Sequence, residues 1–144
     1  MYQGLALPQG GETILEPTRE ADMPKLQTIM VGTDDPKALA DFYSKVLGAP
    51  TWEDGGYTGW DLGGAGFMIG AHSEVKGRNE MPGRLMWNLE TDDVKGEFKR
   101  IKDAGATVVQ EPYNPGGDQD EFMMATFEDP DGNYFQIASP APEM

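Results

Sequence analysis

The sequence predicts an α+β protein of two tandem βαβββ modules, their strands forming one concave mixed sheet with a helix of each module on the convex side. Three observations carry this. The hydrophobic period switches from 2 to 3.6 and back twice along the chain, once in each half. Short segments recur between the halves: "TDDPK" at 33–37 answers "TDDVK" at 91–95, "LGA" at 47–49 answers "AGA" at 104–106, and "GAGFMIGA" at 64–71 lies on "GNYFQIAS" at 132–139. The strand candidates also share a purely apolar face (Ile29 and Val31, Phe67 and Ile69, Leu85, Trp87 and Leu89, Phe135 and Ile137), which one module cannot bury alone.

The elements follow in order. Residues 1–25 mix Gly, Pro and Glu without period and read as an arm. The first module, 26–71, opens with the β-branched run "LQTIMVGT". It continues into "DDPKALADFYSKVLG", with acidic N-cap residues, Pro at the first helical position, and Leu39, Phe42, Tyr43, Val46 and Leu47 on one face. Gly48 is the stop. Three short strands are expected near 50–54, 57–62 and 65–71, separated by Gly-Gly turns. A linker, 72–83, leads to the second module, 84–139: strand "RLMWNLET", helix "DDVKGEFKRIKDAG", then strands in "TVVQ", "EFMMATFE" and "NYFQIAS". Residues 140–144 form a tail.

Composition narrows the function. The 25 acidic and 11 basic residues leave a formal charge of −14, which repels phosphate backbones and anionic lipid, so neither nucleic acid nor membrane is an expected partner. The same field attracts cations. Cysteine is absent, which excludes disulfides, thiolate catalysis and Cys-based metal sites. With no signal-like or membrane-spanning apolar run, a cytoplasmic location is expected. Several motifs fail on inspection. "GGAGFMIG" opens a strand instead of the helix a dinucleotide fingerprint requires, and "DPDGNYFQIASP" carries Pro140 where a calcium loop needs its bidentate acid.

The segments "DDPKALADFYSKVLG" and "FEDPDGNYFQI", with the internal repeat, resemble the vicinal oxygen chelate superfamily over about 26–139. This superfamily groups glyoxalases, extradiol dioxygenases and bleomycin-resistance proteins. The resemblance implies that four inward strand positions hold a divalent ion in metal-using members; here they carry Thr28, Met86, Met68 and Gln136. A hydroxyl, two thioethers and an amide are poor ligands for Mg, Mn, Fe(II) or Zn, and none offers negative charge. No metal and no other cofactor is therefore expected. Gln136 stands where the superfamily's metal-binding carboxylate would be and keeps hydrogen-bonding capacity without charge.

Alternation places Thr28, Met30, Met68, Met86, Asn88, Glu90, Tyr134 and Gln136 on the concave face. The mixture of polarizable methionines, amides and an aromatic ring suits a small organic ligand. Tyr57, Trp60 and Tyr113 are candidate wall or rim aromatics. The expected function is sequestration of an aromatic or cationic small molecule in a metal-free cleft, as in the bleomycin-resistance branch, by a homodimer of the kind the resemblance implies. The alternative is a lyase, isomerase or dioxygenase in which His72, the only histidine, works with Glu74 or Glu90, through a displaced divalent metal or by proton transfer. A third possibility is a regulator whose acidic surface meets a basic protein.

Overall fold

A computed structural model describes residues 23–140; most of the expected arm and tail lies outside the described residues. The chain runs β1 (Thr28–Thr33), α1 (Pro36–Leu47), β2 (Trp52–Asp54), β3 (Tyr57–Asp61) and β4 (Gly66–Ala71). It continues with β5 (Trp87–Glu90), α2 (Val94–Asp103), β6 (Thr107–Tyr113), β7 (Met124–Glu128) and β8 (Tyr134–Ala138). This is the predicted α+β duplication, βαβββ twice.

The repeated Thr-Asp-Asp segment has a local cause in each half. Thr33 Oγ1 accepts from the Asp35 N–H at 3.0 Å, and Asp35 caps α1 by accepting from the Ala38 N–H at 3.2 Å. Thr91 and Asp93 repeat both bonds ahead of α2, at 3.1 and 2.9 Å. Each supplies acceptors to backbone donors that the first helical turn leaves unpaired. Helix α1 ends at Gly48, whose φ of +90° turns the chain away and whose N–H reaches the Ser44 carbonyl.

The strands form two four-stranded sheets, ordered β1-β4-β3-β2 and β5-β8-β7-β6, with β1–β4 and β5–β8 parallel and the other pairs antiparallel. Each module thus contributes its own four mixed strands, and β1 and β5 are both edge strands. What unites the modules is a common core. The ring of Tyr43 on α1 lies 5.0 Å from Phe67 in its own module and 5.5 Å from Phe135 in the other. Phe67 meets Trp87 across the divide at 5.3 Å. Stacked pairs then carry the contact from Phe135 through Phe127 to Phe98 on α2. Fully burying such a ring contributes about 1.5–3 kcal/mol, so this shared aromatic core ties the stability of each module to the other.

Polar ties reinforce the junction. Arg100 of α2 donates to the carbonyls of Lys45 and Val46 at the C-terminal end of α1, at 3.0 and 2.8 Å, while pairing with Glu97. The linker straps the hairpin between β7 and β8. The Asn79 N–H donates to the Asp131 carbonyl at 2.8 Å, its side chain donates to Asn133 at 2.9 Å, and Arg78 pairs with Glu128.

Three expectations are corrected. The opening strand of the second module is shorter than 84–91, because Pro82–Arg84 form a 3-10 turn. Leu85 therefore lies outside the sheet and is 66% exposed instead of joining the core. Strand β6 extends to Tyr113, with register irregularities between Val108 and Tyr113 that accommodate Pro112 on an edge strand.

Candidate functional site

The helices cover one face of each sheet; of the predicted inward residues, Thr28, Met30 and Met68 in the first sheet and Asn88, Glu90, Tyr134 and Gln136 in the second occupy the other, whereas Met86 lies just outside β5. On the first sheet the register aligns Trp52, Gly59, Met68 and Met30 in one row across the four strands. A second row runs Asp54, Tyr57, Gly70 and Gly32, and a third runs Asp61, Gly66 and Thr28. The glycines give this face its shape. A Cβ on Gly59 would overlap the indole of Trp52, and one on Gly70 would overlap the phenol ring of Tyr57. A Cβ on Gly32 would come within 2.9 Å of the His72 Cβ. Aromatic rings from β2 and β3 thus lie across bare backbone and pave the surface.

The equivalent face of the second sheet is polar. Asn88, Gln136, Thr126 and Gln110 form the central row, flanked by Glu90, Ala138, Met124 and Tyr113. The side-chain amide of Gln136 donates to Thr126 Oγ1 at 2.8 Å. Tyr134 stands opposite Glu128, and Met86 immediately precedes β5. The duplication has therefore yielded an aromatic and thioether face on one module and an amide and hydroxyl face on the other.

Trp60, expected as a wall aromatic, is instead a core residue. It is 2% exposed, its ring packs against Phe67 at 6.0 Å, and its indole N–H donates to the Gly48 carbonyl at 2.8 Å. It alternates with Gly59 on β3 and so points to the helix side. Tyr57 does lie on the open face, and the tryptophan there is Trp52, one strand over from Trp60, 42% exposed and absent from the expected set. Its signal was the pairing of an aromatic with a strand glycine, visible only once the β2–β3 register is known.

The candidate acid–base residues are dispersed. His72 Nδ1 accepts from the Glu74 N–H at 3.1 Å, and its other nitrogen makes no hydrogen bond among the described residues. Glu74 borders a small cleft beside the linker, whereas Glu90 borders a different one. The largest of the principal clefts, about 820 Å³, is not on the paved face. It lies in the seam between the modules and is lined by Ile29, Leu62, Met86, Trp87 and Leu89 among others. The Trp87 indole N–H is buried there without a hydrogen-bond partner among the described residues.

The profile of the glyoxalase-like domain family matches residues 28–138, which contain every strand and both helices. The chain belongs to the glyoxalase-like domain family. Its fold is that of the vicinal oxygen chelate superfamily. Among solved structures it is similar to a glyoxalase-related enzyme from Fulvimarina pelagi, at 21% identity and TM-score 0.66 over 82% of this chain and 89% of that one. A glyoxalase/bleomycin resistance protein/dioxygenase family enzyme from Burkholderia phytofirmans PsJN aligns at 23% identity and TM-score 0.64, over 81% and 98% of the two chains. An integron cassette protein from the mobile metagenome of V. cholerae aligns at 24% and 0.62, over 83% and 97%. No curated protein matches the chain.

The donor set of this glyoxalase-like chain does not suit the superfamily's divalent ion. The four positions are occupied by Thr28, Met68, Met86 and Gln136, of which only a hydroxyl and one amide offer oxygen, and neither is charged. Without a carboxylate or imidazole nothing offsets the dehydration of a hard cation. Among the described residues no three His, Cys, Asp or Glu side chains gather where they could hold an ion elsewhere. No helix among them is long and apolar enough to cross a membrane.

Proposed function

We propose that this glyoxalase-like protein binds a small organic molecule, aromatic or cationic, without a metal, and that the helix-free faces of its two modules supply the site. The observation that carries this reading is that Thr28 and Met68 on the first sheet, Gln136 on the second and Met86 just before β5 are all neutral, and that the first module's helix-free face is otherwise built of rings and exposed methionine. Met30 is 44% exposed, and thioethers adapt to the outline of an organic ligand. The name glyoxalase/bleomycin resistance protein, which structural neighbours of this chain carry, is compatible with sequestration as the activity. A formal charge of −14 favours a cationic guest, and the lack of cysteine fits a reducing, cytoplasmic setting.

We place the complete cleft in a homodimer. The free edges of β1 and β5 flank the apolar seam, and Leu26, Leu62, Leu85 and Met86 are exposed around it. Unpaired strand edges beside an apolar surface favour association. A second copy docked there would oppose a paved face to an amide face.

The test is a thermal-shift screen against divalent metals and a panel of aromatic and cationic compounds. A compound at 100 times its dissociation constant adds about 2.7 kcal/mol, which the melting temperature reads directly. Organic compounds are expected to shift it and metals are not; metal shifts alone would overturn the reading. Light scattering should return a dimer mass, and a monomer at every concentration would remove the dimer.

A further inference from the structure

We propose that Trp52 and the glycine floor beneath it form a stacking platform for a planar aromatic cation, with Asp54 and Asp61 as its counter-charges. This names the ligand class of the site proposed above and rests on that reading.

Trp52 lies on the short strand β2, where little apolar packing requires a tryptophan. Its indole is laid across Gly59 so closely that no side chain is tolerated there, and yet it remains 42% exposed. The neighbouring ring, Tyr57, repeats the arrangement over Gly70. Beyond Gly59 in the same row come Met68 and Met30, so a flat molecule resting on the indole continues onto thioethers, which make favourable contacts with aromatic rings.

Charge selects among flat molecules. By register Asp54 and Asp61 flank the Trp52–Gly59 row on the same face, each about 7 Å along the strand from the row. Both are exposed. No lysine or arginine occupies the three rows of this face, and the nearby Lys37 is paired with Asp41 at 2.8 Å. A cation above the indole gains the attraction of the ring's π-face together with that of two carboxylates. An anion meets only repulsion.

The experiment uses the full chain at about 150 mM salt, where the general field of the protein is screened beyond about 8 Å. The probes are proflavine, a planar cation, neutral phenazine and anionic 9-anthracenecarboxylate, followed by dye anisotropy or calorimetry. Proflavine is expected to bind best. Trp52→Ala should weaken it at least tenfold without changing the protein's charge, while Trp52→Phe should stay within about threefold. Gly59→Val, which lifts the indole off its floor, should weaken it severalfold. The pair Asp54→Asn and Asp61→Asn should weaken proflavine and leave phenazine unchanged.

Equal proflavine affinity in Trp52→Ala and the wild type overturns the platform, as does binding of 9-anthracenecarboxylate as tight as that of proflavine. If another compound binds and responds to Gln136→Ala but not to Trp52→Ala, the platform falls and the binding function stands. If no organic compound stabilises the protein, both fall.

Discussion

The Tyr43 hydroxyl donates to Asp129 Oδ2 at 2.8 Å, a buried bond from the helix of the first module to the β7–β8 hairpin of the second. Asp129 is the first aspartate of "DPDGN", and its carboxylate also accepts from the backbone N–H groups of Asp131 and Asn133 and from the Asn133 side chain. It shapes the hairpin and locks it to the other half at once. Burial pushes its carboxyl above the ordinary range, opposed by these donors. Burial, then the charge of Asp129, push the Tyr43 phenol well above its own.

Tyr43→Phe should therefore cost about 1.5–3 kcal/mol in urea denaturation, the usual loss for a hydrogen bond to a charged group. Asp129→Ala should cost at least twice as much, since it strands two backbone donors, an amide and a phenol together. A Tyr43→Phe protein as stable as the wild type would show that the bond holds nothing.

Acid should separate two carboxylates by sign. The folded-state value of Asp129 is raised, so the proton-linked part of its contribution is full below its ordinary value near 3.8 and is lost as pH rises through the folded value, while its hydrogen bonds as an acceptor remain. The melting-temperature gap between wild type and Asp129→Asn should narrow as pH rises from about 3 toward 7. Glu97, lowered first by its hydrogen bond from Arg100, contributes above its ordinary 4.5 and loses that contribution as pH falls through its folded value. The corresponding gap for Glu97→Gln should narrow in the opposite direction. Parallel curves for the two variants would contradict this assignment.

Arg100→Ala removes the two bonds from α2 to the end of α1. Because the bond to Lys45 is exposed and that to Val46 only partly buried, a loss of about 1 kcal/mol is expected in thermal or urea melts, with Arg100→Lys recovering only part of it. Full recovery by lysine would mean that charge, and not the fork of donors, matters.

Magnesium, manganese, nickel and zinc at millimolar concentration should leave the melting temperature of the wild type unchanged, and chelator treatment should do nothing. A chelator-sensitive melt, restored by one metal, would show a site that the neutral donor set does not explain.

Much of the fold was legible because its signals are local and doubled. Asp35 and Asp93 are helix caps in the same sentence of sequence, and the alternation through Phe67, Ile69, Phe135 and Ile137 names the core face directly. What was hidden depends on pairing between strands. Whether Trp52 or Trp60 faces outward turns on the phase of two short strands joined by Gly55 and Gly56, where shifting by one residue exchanges the faces. Leu85 was misplaced because nothing local distinguishes a strand from the exit of a 3-10 turn. Gln136 was read from its position, but Thr126 as its partner required the β7–β8 register.

The aromatic bridge from Tyr43 through Phe135 to Phe98 also governs what happens if the polypeptide is severed. Cut within the strap that carries Arg78 and Asn79, each fragment would be left with half of a hydrocarbon interior and an unanswered polar group, a phenol on one piece and a carboxylate on the other. Neither is a folding unit, yet their surfaces are made for each other. Co-expressed as separate polypeptides, they should find one another and regain structure only together.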